Sequence, residues 1–198
     1  SENKHQETRR RLGISGEELV IGWVGRLEER MQVMNTILLG EELKRRGFAN
    51  FKLLIVGGGM ADANGDYDQI YPKLLRDKVA ALGISAQTVF TGWVPFDEVT
   101  DYLNAMDIVP LLEQDPQGGS ILREAMSCGK VALSVDGISG TQRTFMNNDN
   151  SLLVSPERFL DEAAEAIITL ASLPAERENI GQRARAYAEE NLSFSGQA

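Results

Sequence analysis

The sequence holds one cysteine, Cys128, and one histidine, His5, in 198 residues. A single thiol precludes an intramolecular disulfide and points to a reducing compartment, here read as the cytoplasm. Cys128 reads as a small buried hydrophobe on the packed face of a helix. One histidine near the start leaves no histidine-based triad and no His-rich metal site. Positive charge is also in deficit: the net charge of −9 argues against a nucleic-acid face, so an anionic ligand needs a local positive pocket. No apolar run approaches the length of a membrane-spanning helix, and no N-terminal stretch has the charged-then-apolar pattern of a signal peptide. There is no internal repeat and no low-complexity tract. The hydrophobic fraction of 42% is enough for one real core.

What the chain does have is organised around residues 113–136. Ile108 to Leu112 reads as a buried strand ending in a polar loop. Gly118-Gly119-Ser120 then opens a helix, with Ser120 as the expected N-cap. Gly129 stands where a helix ends in a left-handed turn. Val131 to Val135 is short, apolar and β-branched, the next buried strand. Glycines let backbone N–H groups approach a ligand, and a helix N-terminus adds unpaired donors and a positive dipole end, so a phosphate fits there. Glu124, one turn further in, has the placement to accept from sugar hydroxyls. A plain strand–helix turn with a surface glutamate uses the same residues.

The same alternation runs along the chain. Leu19 to Val24 is a first strand, ended by Gly25-Arg26-Leu27, and Val33 to Arg46 follows with helical spacing. Phe51 to Val56 is a second strand, ended by Gly57-Gly58-Gly59. Asp62 to Asp68 superficially has the composition of a calcium loop, but Gly65 is misplaced and no Glu closes it. Asp66 or a neighbour reads instead as the cap of a helix over 67–82. Gln87 to Phe90 is a short strand, followed by Thr91-Gly92-Trp93-Val94 and a helix over 96–106. Ser151 to Val154 is a last strand, with Ser155-Pro156-Glu157 opening a helix to about Leu173 and Pro174 opening another to Asn191. Arg9-Arg10-Arg11 reads as a solvated face. Strands alternating with helices at least five times predict an α/β, Rossmann-like parallel sheet with helices on both faces. Ligands bind such sheets at the carboxyl ends of strands, so the loops holding Arg26, Gly57, Gly119 and Gly140 gather at one edge.

The run Gly118-Gly119-Ser120-Ile121-Leu122-Arg123-Glu124-Ala125-Met126-Ser127-Cys128-Gly129 resembles the donor-nucleotide motif of glycosyltransferase family 4, enzymes of bacterial type with the two-domain GT-B fold. The resemblance covers nearly the whole chain and corresponds to the C-terminal, donor-binding half. It implies a connection between domains over 1–18, a Rossmann-like nucleotide-sugar-binding domain over 19–191 and a C-terminal crossover segment over 192–198, where Phe194 and Ser195 match the family's closing Phe-Ser. It implies a missing N-terminal acceptor-binding domain, through which a full enzyme would touch a membrane peripherally. It also implies a retaining transfer from a nucleotide diphosphate sugar to an acceptor hydroxyl, with no metal and no other cofactor.

Residue by residue, the resemblance assigns diphosphate charge to Arg26 beside Gly25. The ribose falls to Glu124, and backbone donation to Gly119, Ser120 and Ile121. The loop Gly57-Gly58 is similar to the family's Ile-Val-Gly-x-Gly and joins the substrate-binding set, and the turn with Trp93 and Val94 lies beside the base, where Trp93 either stacks or caps the core. Three positions depart from the family. Its lysine falls on Met31 and the following glycine on Gln32, with Arg30 adjacent as either a substitute or an exposed loop charge. Its first glutamate falls on Pro116, with Asp115 one residue away. Arg143 stands where an acid is usual. Arg26, Glu124 and Asp115 are thus the expected catalytic set. The losses at Met31, Pro116 and Arg143 favour a rival, a degenerate non-catalytic nucleotide-binding module or subunit. A flavodoxin-like domain shares the architecture but would need an acidic cluster at the end of the first strand.

Overall fold

The computed structural model describes residues 2–60, 68–112, 119–137 and 144–192. Six strands form one parallel sheet: β1 (Leu19–Val24), β2 (Phe51–Val56), β3 (Thr88–Gly92), β4 (Ile108–Leu111), β5 (Val131–Val135) and β6 (Leu152–Val154). Their order across the sheet is β3-β2-β1-β4-β5-β6, that of dinucleotide-binding folds. The expected α/β sheet is therefore present, with each of its named strands.

Alternation along the strands builds two cores. Leu19, Ile21 and Trp23 of β1 join Phe51, Leu53 and Ile55 of β2 on one face, as their register pairs them directly. That face is covered by α2 (Val33–Arg45), α3 (Ile70–Ala81) and α6 (Phe159–Ala171) through Ile37, Leu75 and Ile167. Val20, Leu54 and Val56 face the other way, against Ile14, Tyr102 and Leu103 of the segment containing α1 (Glu2–Arg11) and α4 (Val99–Ala105), and Ala125 of α5 (Gly119–Ser127). A third cluster joins Leu122 and Met126 of α5 to Ala184 and Ala188 of α7 (Pro174–Asn191). Near-continuous burial of β1, β2, β4 and β5 is what a sheet covered on both sides requires.

Three local expectations are corrected. Arg9 is buried rather than solvated. Its Nε donates to the Ala105 carbonyl at 2.9 Å, and its Nη2 to Asp107 Oδ2 at 2.7 Å. Docking of α1 on α4 puts that guanidinium over polar groups that need donors, while Arg10 stays exposed and Arg11 lies over the Tyr102 ring. Ser120 does not cap α5, because the helix already includes Gly119; the cap position lies outside the described residues. Ser155 does not cap α6, which starts at Phe159; its backbone N–H and hydroxyl instead both donate to the Glu162 carboxylate at 2.7 Å. Gly129 does end α5 in the left-handed region, at φ 68°. The calcium-like loop with Asp66, the segment with Asp115 and Pro116, Gly118, the loop with Gly140 and Arg143, and Phe194 with Ser195 lie outside the described residues.

Candidate functional site

Strand order reverses between β1 and β4, so the helices that follow them leave on opposite faces and open a crevice at the carboxyl edge. The ends of β1, β2 and β3 are laced together there. Gly25 N–H donates to the Val56 carbonyl at 3.0 Å, Gly57 N–H to Gly92 at 3.1 Å, and Leu27 N–H to Gly58 at 2.9 Å. Beside this lacing lies a cavity of about 420 Å³. Its walls include Gly25, Arg26, Gly57, Gly58, Trp93 and Val94, six of the residues expected from sequence. Met60, Phe96 and Val99 also line it, and sequence reading missed them. Phe96 is 87% exposed and Trp93 61%, so Trp93 borders the crevice instead of capping the core. An apolar hollow with a guanidinium at its rim suits a flat base attached to an anion.

The cations lie at one side. Arg26 and Arg30 are both exposed, and both turn their Nε toward the half-buried Glu28. Arg26 Nε is 3.3 Å from Oε1, and Arg30 Nε is 2.6 Å from Oε2. Glu28 was not singled out in the sequence; its signal was an acid two residues from each arginine. Met31 is half-buried and packs on the first core. Gln32 is the one non-glycine described residue with positive φ, at 48°, a conformation that suits the glycine of the family pattern. The Asn35 side chain donates to the Leu112 carbonyl at 2.6 Å, tying the start of α2 to the end of β4.

Helix α5 supplies the second side. Gly119, Ser120 and Ile121 form its first turn, where N–H groups lack intrahelical partners. Ile121 packs between two cores, which leaves its backbone as the group available to a ligand. Glu124 is exposed, yet desolvation by its surroundings pushes its carboxyl above the ordinary range. These four residues follow β4 and stand at the same sheet edge, but they do not line the cavity under Trp93. Cys128 is half-buried and burial raises its thiol, in keeping with a packing role.

A second cavity, of about 410 Å³, lies at the amino ends of the strands around Arg9, Asp107 and Arg177. Arg9 and Arg177 there both face Asp107, and the cavity sits at the wrong edge of a parallel sheet for a ligand. Among the described residues no group of three or more His, Cys, Asp or Glu is placed to hold a metal. No described helix is long and apolar enough to cross a membrane.

Comparison with known proteins gives three findings. The family model for glycosyl transferases group 1 matches residues 4–187. The D-inositol 3-phosphate glycosyltransferase of Rhodococcus erythropolis is 26% identical over 185 residues, which are 92% of this chain and 40% of that protein. The chain thus spans less than half the length of this curated relative. Among solved structures, Anabaena Alr3699/HepE in complex with UDP and glucose has a TM-score of 0.82 at 22% identity, covering 98% of this chain and 49% of that one. The C-terminal domain of the group 1 glycosyl transferase LpcC from Francisella tularensis has a TM-score of 0.79 at 20% identity, and here 98% of this chain matches 95% of the other.

Proposed function

The chain belongs to the group 1 glycosyl transferases, and from that premise we propose that its strand-edge crevice is the donor site for a nucleotide diphosphate sugar. The observation that carries the reading is the convergence of the Gly25–Arg26 and Gly57–Gly58 strand ends on one apolar cavity rimmed by a guanidinium. Anabaena Alr3699/HepE, whose fold this chain shares, was solved with UDP, which makes a uridine nucleotide the first candidate.

In this reading the base enters beside Trp93 and Val94, and Glu124 accepts from the ribose hydroxyls. Arg26 and Arg30 meet the diphosphate, joined by the N–H groups of Gly119, Ser120 and Ile121. Transfer forms a bond from the acceptor hydroxyl oxygen to the sugar's anomeric carbon and breaks that carbon's bond to the diphosphate oxygen; the diphosphate leaves with the electron pair and takes up the hydroxyl proton. Fixed positive groups and helix N–H donors stabilise that departing charge. Stereochemistry is retained, no metal takes part, and the protein works in the cytoplasm. The acceptor is held by a domain beyond this chain, so the chain alone transfers no sugar, because proximity of donor and acceptor supplies much of the rate.

Calorimetry with UDP, GDP and ADP tests the reading. Binding of one of them, and loss of that heat when the diphosphate is removed, is expected. Silence from all three at millimolar concentration overturns it.

One observation favours the second reading, a nucleotide-binding module without catalysis. Met31 occupies the family's lysine position and is packed on the core, so no ammonium reaches the diphosphate from there. A full-length protein that binds the donor but neither transfers nor hydrolyses it would fit that reading.

A further inference from the structure

Glu28 is a half-buried carboxylate beneath two exposed guanidiniums, and each of them turns Nε toward it. Its side chain is 17% exposed, against 56% for Arg26 and 52% for Arg30. Oε2 takes the Arg30 Nε–H at 2.6 Å. Oε1 is buried, lies 3.3 Å from Arg26 Nε, and has no partner in hydrogen-bond geometry. Among the described residues, Arg26 Nη1 also lies 3.5 Å from the Met60 sulfur, a weak acceptor.

A guanidinium offers five donors in a rigid planar fork. Anchoring it by Nε fixes the plane and leaves the Nη edge turned away from the carboxylate. Arg30 is anchored in this way, while Arg26 Nε lies in ionic contact with the other oxygen at 3.3 Å, so one carboxylate holds both cations beside it. Arg26 comes from the end of β1 and Arg30 from the short 3-10 turn Glu29–Met31, so without a common anchor their long side chains would move independently.

We infer that Glu28 is a positioning residue for phosphate recognition: it fixes Arg26 and Arg30 as a pair whose Nη edges receive the diphosphate of the donor. The inference rests on the donor-site reading above and deepens it. It also accounts for how the site works with Met31 in place of the family's lysine, since the second cation is supplied by Arg30 and held in place by Glu28. No covalent step is involved.

The sign of the effect separates this role from simple electrostatics. A carboxylate near a phosphate repels it, so by charge alone Glu28→Gln should tighten binding. A positioning role gives the opposite result, because the amide loses the charge-assisted bond to Arg30 and the ionic hold on Arg26.

The experiment is calorimetry of UDP, GDP and ADP, and of the matching nucleosides, on wild type, Glu28→Gln and Glu28→Gln in an Arg26→Ala/Arg30→Ala background. The expected result is a loss of about tenfold in diphosphate affinity, typical for one charge-assisted bond. Nucleoside affinity and the thermal midpoint should hold, and the loss should vanish in the double-arginine background. Unchanged or tighter diphosphate binding by Glu28→Gln overturns the inference and leaves the donor reading standing. No binding of any diphosphate by wild type removes both. Should Glu28→Gln fail to fold, Glu28→Asp keeps the charge and shortens the reach. It is expected to lose diphosphate affinity, and full retention overturns the inference.

Discussion

A Cβ placed on Gly57 would lie 1.8 Å from the carbonyl oxygen of Gly25. The two glycines meet where β1 and β2 end, and both have positive φ, 137° and 154°. Neither a side chain nor an ordinary backbone conformation fits there, so the floor of the crevice exists only because position 57 is glycine. Gly57→Ala should therefore cost more than about 2 kcal/mol, combining strain with a backbone clash. Gly92→Ala is the control: it has positive φ with nothing within 4 Å of the added carbon. Urea unfolding of both variants tests the point, and equal losses would show that the close approach relaxes freely.

Arg26→Ala should weaken nucleoside diphosphate binding by roughly 1–3 kcal/mol, the scale for hydrogen bonds to charged groups. The side chain is more than half exposed, so stability should hold. Nucleosides without phosphate should bind as before. Equal losses for both ligands would assign Arg26 to the fold and not to the ligand.

Glu124 lends itself to a paired measurement. Its carboxyl is raised by desolvation, so the neutral form is the one the fold prefers. That preference stabilises the folded state at low pH and is lost as pH rises through the raised pKa. Glu124→Gln is neutral throughout. It should therefore be at least as stable as wild type at pH 7, with the difference closing in acid. Ribonucleotide affinity should fall nonetheless, while 2′,3′-dideoxy nucleotides lose little. A variant that loses both series equally would remove Glu124 from the ribose.

Glu42 shows the opposite sign. Hydrogen bonds from Arg45, then Arg46, hold its carboxyl at about 2, below the ordinary 4.5. Arg46 also reaches Asp161, linking α2 to α6. Stability from the charged form is complete above pH 4.5 and disappears as pH falls toward 2. The stability gap between wild type and Glu42→Gln should narrow across that window. The effect should be small, because the arginines are partly in water. A gap independent of pH would mean that the pairing contributes nothing to folding.

Much of this was legible in the sequence because it depends on periodicity and on glycine. The apolar runs marked the six strands, and Gly129 stands in the left-handed conformation expected of it, whereas Gly25 and Gly57 were legible only as strand-ending glycines. Arg9 was not legible: a charged residue in an arginine run gives no local sign that another helix will bury it. Ser155 looked like a helix cap because Pro156 followed it, but Glu162, seven residues on, took its N–H. Glu28 was missed for a related reason. Motif reading searches for the cations that meet a phosphate and passes over the carboxylate that orients them. Met60 comes to the cavity from the loop after β2 and Phe96 from a short 3-10 turn after β3, which spacing alone does not bring together.

The final prediction concerns Arg30 and whether it has taken over from the family's lysine. Its guanidinium is anchored at the crevice by Glu28, whereas Met31 is packed on the core. If Arg30 serves the diphosphate, Arg30→Ala should weaken UDP binding, by less than Arg26→Ala because Arg30 stands outside the cavity wall. Adding Met31→Lys to that variant should restore part of the loss. A lysine at position 31 can lay its apolar stem along the core surface and extend its ammonium outward, but a compact ammonium does not reproduce a planar fork, so the rescue should stay incomplete. Calorimetry with UDP and uridine on wild type, Arg30→Ala and Arg30→Ala/Met31→Lys measures this directly. If Arg30→Ala binds UDP like wild type, Arg30 is an exposed loop charge. The site would then have lost its second cation outright, and the non-catalytic reading would gain the observation that it needs.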